Sequence, residues 1–123
     1  MSELSLNEVY KATHVLKSII KPTALIKAPS VNPSADIYIK PENLQITGSF
    51  KVRGASYKIS QLIANEGANV TSVMHERTNT EISVNACTLR ITMETRNADH
   101  IKIILDKLKD NGIRILSIPF QLC

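Results

Sequence analysis

The order in which strand-like and helix-like segments follow one another after residue 36 restricts the fold more than any other feature. Strand-like segments alternate apolar and polar residues, whereas helix-like segments repeat apolar residues at helical spacing. The segments, in chain order, are a strand over 36–40, a helix beginning near Ser49, strands over 69–77 and 82–95, a helix after Asn97 and a strand over 113–118. This order predicts an α+β, ferredoxin-like βαββαβ sandwich.

An additional helix and a proline-rich loop precede this unit. Ser5 and Glu8 have the spacing of a capping box, so the sequence predicts a helix over residues 5–20. Pro22 ends this helix because proline lacks the backbone N–H that a helix needs. Residues 21–35 contain three prolines and are predicted to form a loop.

The long strand over 82–95 indicates which face of the sheet is buried. Its alternating pattern is typical of a half-buried antiparallel strand. The apolar side carries Cys87, Leu89, Ile91 and Met93, and the polar side carries Thr88, Arg90, Thr92 and Glu94. A turn over 78–81 precedes it. The helices on either side of the two adjacent strands are predicted to end at Gly67 and Gly112, since glycine is favoured just past a helix end.

Composition excludes several classes of function. The net charge is +4, but the basic residues are spread among acidic ones, so no nucleic-acid partner is predicted. Cys87 and Cys123 do not form a CxxC pair, so no metal site is predicted. No apolar run is long enough to span a membrane, and the first residues do not resemble a signal peptide. We therefore expect a cytoplasmic protein without a membrane partner.

Residues 40–55 carry the most specific chemistry in the chain. A lysine becomes an imine former when its unprotonated amine is held against an aldehyde, and Lys51 stands at a predicted helix start. The backbone amides near Ser49 would face an anion there, and Phe50 offers an aromatic face. The alternative is that Lys51 is an ordinary solvated lysine at the first turn of a helix.

The same stretch resembles the lysine segment of the serine/threonine dehydratases, which are pyridoxal-phosphate (PLP) enzymes of the tryptophan-synthase-β type. The family pattern of an acidic-Asn pair, Thr-Gly, Ser-Phe-Lys and Arg-Gly-Ala is met by Glu42-Asn43, Thr47-Gly48, residues 49–51 and residues 53–55. The resemblance implies that Lys51 is catalytic, forming the imine with PLP and removing the α-proton. It implies that Lys51, Phe50 and Ser49 bind the cofactor. Residues 21–25 resemble the family's substrate-side loop, with Ala24 in place of a second proline.

The second half resembles the ACT-like regulatory domain at the end of threonine dehydratases. The resemblance rests on residues 62–70, 72–77, 89–96 and 100–101. It divides the chain into a catalytic-domain fragment at 1–61 and an ACT-like domain at 62–123. It implies a homo-oligomer formed through the ACT-like part and an amino-acid effector at Gly67 and Asn69. The alternative for these two residues is a helix cap and a turn.

Two motifs of the dehydratases are absent from the sequence. There is no Ser-Ala-Gly-Asn-His loop, and the four glycines include no adjacent pair that would cradle a phosphate. We therefore expect an internally deleted threonine ammonia-lyase, whose family converts L-threonine to 2-oxobutyrate and ammonia. We expect this chain to be inactive alone and to bind no PLP. The alternatives are a non-enzymatic ACT-like module that binds an amino acid or self-associates, and a chain that assembles with a full-length dehydratase.

The deletion suggests how the fold was completed. The first strand of an ACT domain has no counterpart, so the strand over 36–40 and the Lys51 helix are predicted to replace it. A strand at 36–40 that lies outside the main sheet would contradict this hypothesis. Residues 75–77 (His-Glu-Arg) are predicted to be a surface cluster at a strand end, while His14 and His100 are predicted to lie at helix surfaces or boundaries.

Overall fold

A computed structural model describes residues 4–76 and 88–116, with the side chain of residue 76 left out. These residues form a small α+β architecture with three α-helices and two antiparallel sheets of two strands each. The elements are α1 (Leu6–Leu16), β1 (Ile26–Lys27), β2 (Tyr38–Ile39), a 3-10 turn (Glu42–Leu44), α2 (Lys51–Asn65), β3 (Asn69–Glu76), β4 (Thr88–Glu94) and α3 (Ala98–Asp110).

Capping groups explain where the first and last helices begin. The Ser5 hydroxyl accepts a hydrogen bond from the Glu8 N–H at 3.3 Å, as the sequence predicted. At α3, the Asn97 side chain accepts from the His100 N–H at 2.9 Å. The basic residues Lys107 and Lys109 lie in the last turn of α3, where positive charge interacts favourably with the negative end of the helix dipole. Helix α1 ends at Leu16, four residues before the predicted end at residue 20.

Both predicted glycine caps are confirmed, and each completes a Schellman motif. At the end of α2, Gly67 has φ +80° and donates to Ala64 O, while the N–H of Ala68 donates to Ile63 O. At the end of α3, Gly112 has φ +77° and the N–H of Ile113 donates to Leu108 O. The motif reverses the chain sharply, so that β3 returns along α2.

Alanine substitution should distinguish the glycine that caps α2 from the glycine inside it. We expect Gly67→Ala to lower the free energy of unfolding by about 1–2 kcal/mol, because a side chain is strained at positive φ. Gly54→Ala is the control. Gly54 lies inside α2, and an added Cβ would meet nothing within 4 Å. That change should raise stability by about 0.5–1 kcal/mol. Urea unfolding of the two variants measures both effects, and equal effects would contradict the cap assignment.

The core lies between the two-stranded β3–β4 sheet and helices α2 and α3. Its buried members are Leu62, Ile63, Ala68, Ile104 and Leu108, and Val70, Ile91 and Met93 of the sheet pack against them. Along β4 the burial alternates as predicted, with Leu89, Ile91 and Met93 more buried than Arg90, Thr92 and Glu94. Helix α2 also packs against α1, so it joins the first part of the chain to this core.

The predicted position of the strand over 36–40 is wrong. Of this segment only Tyr38–Ile39 forms a strand, and it pairs with Ile26–Lys27 in a separate sheet from β3 and β4. The hypothesis that this strand replaces the first strand of an ACT domain is therefore overturned. The prolines of residues 21–35 predict a loop, and the short strand β1 inside this stretch is not predicted by the sequence. Pairing with a segment this near in sequence closes a shorter loop, which costs less entropy than joining the later sheet.

The last predicted strand is also not found where the structure describes it. Residues 113–116 form no strand, although Ile113 and Ile115 pack against the core. The other part of that strand, residues 117–118, lies outside the described residues, as do the predicted turn over 78–81 and residues 82–87. No helix in the described ranges is long and apolar enough to cross a membrane. Those ranges also contain no cluster of three or more metal-ligating His, Cys, Asp or Glu residues.

Candidate functional site

Lys51 is the first residue of α2, as the sequence predicted, and its side chain is exposed. The turn before it is held by short-range hydrogen bonds. The Ser49 hydroxyl accepts from the Lys51 N–H at 3.3 Å, and the Thr47 hydroxyl donates to Ser49 O at 3.1 Å. Phe50 is the residue before the helix and is also exposed. Lys51, Phe50 and Ser49 are therefore adjacent at one exposed end of α2.

A carboxylate-guanidinium pair fixes the segment before Lys51 to the helix that Lys51 begins. Glu42 accepts two hydrogen bonds from Arg53, one from Nε to Oε2 and one from Nη2 to Oε1, both at 2.9 Å. This two-pronged geometry is the strongest form of such a pair. The Thr23 hydroxyl donates to the same carboxylate at 2.8 Å. Glu42 thus connects the proline-rich loop, the 3-10 turn and α2.

A buried glutamine supplies a second connection to the proline-rich loop. Gln45 is only 3% exposed. Its side-chain oxygen accepts from the Lys21 N–H at 3.1 Å, and its side-chain nitrogen donates to Lys21 O at 2.6 Å. The amide therefore satisfies both backbone groups of one loop residue, as a strand partner would. This holds residues 21–23, part of the predicted substrate-side loop, against the turn that leads to Lys51.

The pair also determines how this region responds to acid. Hydrogen bonds from Arg53, assisted by Thr23 and by the charge of Arg53, lower the pKa of Glu42 from 4.5 to about 2. The same hydrogen bonds raise the pKa of Arg53. A carboxyl whose folded-state pKa is depressed stabilises the fold above its unfolded pKa. That stability is lost as the pH falls through the folded value.

We expect Glu42→Gln to be less stable than the parent at neutral pH. The difference should be constant above about pH 4.5, shrink below it and be lost as the pH falls through about 2, as follows from the lowered pKa of Glu42. Urea unfolding of both proteins at a series of pH values measures it. Glu8→Gln is the control, since Glu8 pairs with Lys11 at an exposed site and should contribute little. A difference that persists unchanged at pH 2 would exclude the ion pair as its cause.

The described residues fit only part of a PLP molecule. An amine is present at Lys51, but a phosphate needs several free backbone N–H groups. Near the start of α2 the N–H groups of Gly48, Lys51 and Arg53 already donate to Gln45 O, the Ser49 hydroxyl and Phe50 O, respectively. With these three N–H groups occupied, the segment offers a lysine and at most part of a phosphate cradle, and no catalytic step through the cofactor follows from it.

The predicted effector residues lie together at the junction of α2 and β3. Gly67 provides the helix cap described above, and the Asn69 side chain donates to the Glu94 carboxylate across the sheet at 3.0 Å. The Arg96 guanidinium lies 3.7 Å from where a Cβ of Gly67 would be. His75 lies in β3 opposite Leu89, while Arg77 of the predicted surface cluster lies outside the described residues.

Sequence reasoning missed the roles of Gln45 and Thr23 and placed His100 wrongly. His100 is buried rather than at a helix surface, and its ring bridges Arg96 N and Glu66 O. The sequence does offer a signal for the Glu42–Arg53 pair, because both residues belong to the same short motif. Nothing local marks Gln45, because its partner Lys21 lies 24 residues earlier.

Comparison with known proteins supplies the context for this site. Residues 16–88 match a family model described as "Pyridoxal-phosphate dependent enzyme". The chain is 42% identical over 62 residues to the catabolic L-threonine dehydratase TdcB of Staphylococcus aureus (strain N315), covering 48% of this chain and 18% of that protein. It is 40% identical over 65 residues to the L-threonine ammonia-lyase of Thermotoga maritima, covering 51% and 16%. No solved structure matches. The chain thus spans less than a fifth of the length of these curated relatives.

Proposed function

Because the chain belongs to the pyridoxal-phosphate dependent enzyme family, we propose that it is the lysine-bearing part of a threonine ammonia-lyase. In this proposal Lys51 is the lysine on which the conversion of L-threonine to 2-oxobutyrate and ammonia depends. Ser49 and Phe50 form its immediate surroundings. The observation that carries the proposal is the position of Lys51 at the first residue of α2, inside the matched range and beside the Glu42–Arg53 pair.

We also propose that this chain does not perform the reaction alone. The support is that the N–H groups of Gly48, Lys51 and Arg53 are already occupied, which leaves at most part of a phosphate cradle there, and that the chain spans less than a fifth of its curated relatives. When bound, PLP supplies an electron sink that no protein side chain replaces. The contribution of this chain is then to hold the Lys51 amine in place through the Glu42, Gln45 and Arg53 contacts.

A chimera tests the role of Lys51. The aligned segment of the S. aureus relative is replaced by the corresponding residues of this chain, and 2-oxobutyrate release from L-threonine is measured. We expect an active chimera, loss of activity to background with Lys51→Ala, and retained activity with Lys58→Ala. Lys58 is the matched control because it is also exposed on α2. A folded but inactive chimera, or an active one without Lys51, would overturn the proposal. Turnover by the isolated chain would overturn its second part.

The second candidate is a non-enzymatic, ACT-like module that binds an amino acid and self-associates in the cytoplasm. It is favoured by the order α2, β3, β4, α3, with both helices in one core against the β3–β4 sheet. Its effector site would be formed at Gly67 and Asn69.

Thermal shifts test this candidate. Isoleucine or valine should raise the melting temperature if either binds the folded state. Asn69→Ala should abolish the shift, whereas Asn111→Ala, at the end of α3, should not. A shift that is absent, or equal in both variants, rejects the site. Sedimentation of the pure chain measures its self-association.

A further inference from the structure

Strand β4 has an open edge in the part of the chain that the structure describes. The β3–β4 sheet has two strands, so each of them pairs on one side only. The Thr71 hydroxyl of β3 donates to Thr92 O at 3.2 Å, so this carbonyl points toward β3. Backbone groups alternate in direction along a strand. The N–H and C=O groups of Leu89, Ile91 and Met93 therefore point away from β3, and the described residues provide no backbone partner for them.

Of the two edges of this sheet, the one on β4 is better suited to adding a strand. The edge strand β3 has a bulge between Val70 and Ser72. A bulge interrupts the ladder and twists the strand, which is one way in which proteins prevent an edge from pairing. Strand β4 runs from Thr88 to Glu94 without a bulge, a proline or a lysine. Its open side therefore lacks these protective features.

The two faces of β4 restrict the kind of strand that can pair with it. Ile91 and Met93 pack against the core. Arg90, Thr92 and Glu94 are exposed on the opposite face. Because adjacent strands share the faces of a sheet, an added strand must place apolar side chains on the core side and polar ones on the other. It must also offer a carboxylate to Arg90 and a cation to Glu94. A second copy of β4, lying antiparallel, meets these conditions.

We propose that two copies of this chain associate by antiparallel pairing of β4 with β4, so that the two β3–β4 hairpins form one four-stranded sheet. The symmetry axis lies at Thr92, which is opposite Thr92 of the second copy. Arg90 is then directly opposite Glu94 of the second copy, and symmetry repeats this contact. Ile91 lies opposite Met93 of the second copy on the core side. Opposite charges and apolar side chains that face each other across strands stabilise a sheet.

Charge selects this register over the two neighbouring symmetric ones. A pair centred on Arg90 sets two guanidinium groups directly opposite each other, and like charges in that position destabilise a sheet. A pair centred on Ile91 sets Arg90 opposite Thr92, so neither charge directly meets its opposite. Asn69 of β3 supports the register centred on Thr92, since its side chain donates to Glu94 Oε2 at 3.0 Å and orients the carboxylate. A carboxylate can accept further hydrogen bonds, so this contact is compatible with the ion pair.

The pairing also enlarges a sheet that is small by itself. Two-stranded sheets are marginal in water, and additional strands or a packed helix are needed to stabilise them. A two-fold axis perpendicular to the sheet keeps the apolar faces of both hairpins on one side, where α2 and α3 of both copies cover them. The proposal deepens the self-association of the second candidate function and rests on that candidate. It involves neither Lys51 nor an effector.

Sedimentation of the full chain over a range of concentrations tests the proposal. We expect the parent to form a dimer. Arg90→Glu and Glu94→Arg should each raise the dissociation constant at least about tenfold, because each sets like charges opposite each other at two positions. An equimolar mixture of the two variants should dimerise at least as well as the parent, since opposite charges then face each other again. Circular dichroism first establishes that both variants keep the fold.

The outcomes that contradict the pairing are specific. A monomeric parent overturns the proposal. Folded single variants that dimerise as well as the parent overturn it, because the charges would then not face each other. A mixture of folded variants that stays monomeric also overturns it, because restored charge complementarity would have no effect.

A cysteine at the symmetry axis tests the register without changing a charge, so a folding defect of the charge variants does not remove the test. Thr92 meets itself in a pair without backbone hydrogen bonds, in which the Cα atoms are about 4.5 Å apart, a distance that a disulfide spans. Thr92→Cys should therefore give a disulfide-linked dimer under mild oxidation. Mass spectrometry identifies the linked residues, because the chain also contains Cys87 and Cys123. Thr88→Cys, also on β4, is the control and should form no such link. Equal linking at both positions, or none at residue 92, overturns the proposal.

Failure of the pairing can be distinguished from failure of the second candidate function. A dimer that survives in the folded charge variants rejects pairing through β4 and leaves self-association through another surface standing. A dimer that responds to them, without a melting-temperature shift from isoleucine or valine, rejects the effector site and leaves the pairing standing. A shift in a monomeric chain rejects the pairing and leaves amino-acid binding standing.

Discussion

Replacing Ile63 with alanine is expected to lower the free energy of unfolding by about 2–5 kcal/mol. Ile63 is 0% exposed and lies in the core between α2, α3 and the β3–β4 sheet. The loss has two parts, the hydrophobic transfer energy of the removed groups and the cavity that the surroundings fail to fill. Its position near the end of α2 leaves the cavity bounded by α3 and the sheet, so collapse of the site is restricted.

Urea unfolding followed by circular dichroism measures this effect. Ile103→Ala is the matched control, since it changes the same residue type on a helix but at a position that is 55% exposed. Surface substitutions of this kind usually change stability by less than about 0.5 kcal/mol. If the two variants lost similar amounts of stability, the core would not lie where the structure places it.

The helices and the β3–β4 sheet could be predicted because their signals are local. Ser5 and Asn97 start helices through side chains that reach the next turn, and Gly67 ends one through a backbone conformation that glycine adopts without strain. The alternation along β4 reports burial on one face directly. Each of these features depends on only a few neighbouring residues, so it can be predicted directly from the sequence.

The pairing of strands could not be predicted in the same way. Residues 38–39 have a pattern compatible with any sheet, and nothing in it distinguishes β1 from β3 as the partner. Two-residue strands are also too short for an alternation to be recognised, so the sequence predicts a loop where β1 lies. The ferredoxin-like prediction therefore gave the α+β class and the α2–β3–β4–α3 order but not the sheet to which 38–39 belongs.

In the candidate site, too, features with local signals could be predicted, whereas contacts between distant residues could not. The position of Lys51 at a helix start follows from its motif and is confirmed. The Gln45–Lys21 and Glu42–Thr23 contacts join residues 24 and 19 positions apart, and a polar side chain gives no local sign of such a partner. These contacts make the lysine segment a small, connected unit, which a list of motif residues does not show.

The second large effect is expected at His100. His100→Ala should lower the free energy of unfolding by about 2–3 kcal/mol, because it removes a buried ring and leaves two part-buried backbone groups without their partner. The Arg96 N–H donates to Nδ1 at 3.1 Å, so the neutral ring carries its proton on Nε2. Nε2 then donates to Glu66 O at 2.7 Å. The ring thereby fastens the end of α2 to the start of α3.

Urea unfolding of His100→Ala beside His14→Ala isolates this contribution. His14 is exposed on α1, so its replacement should change stability by less than about 0.5 kcal/mol. The Asn97 cap should survive in the variant, since it accepts from the backbone N–H of residue 100 rather than from the ring. Helix content measured by circular dichroism before unfolding should therefore stay close to that of the parent. Equal stability losses in the two histidine variants would mean that the bridge between α2 and α3 contributes nothing, and that packing of Ile63 and Ile104 alone joins the helices.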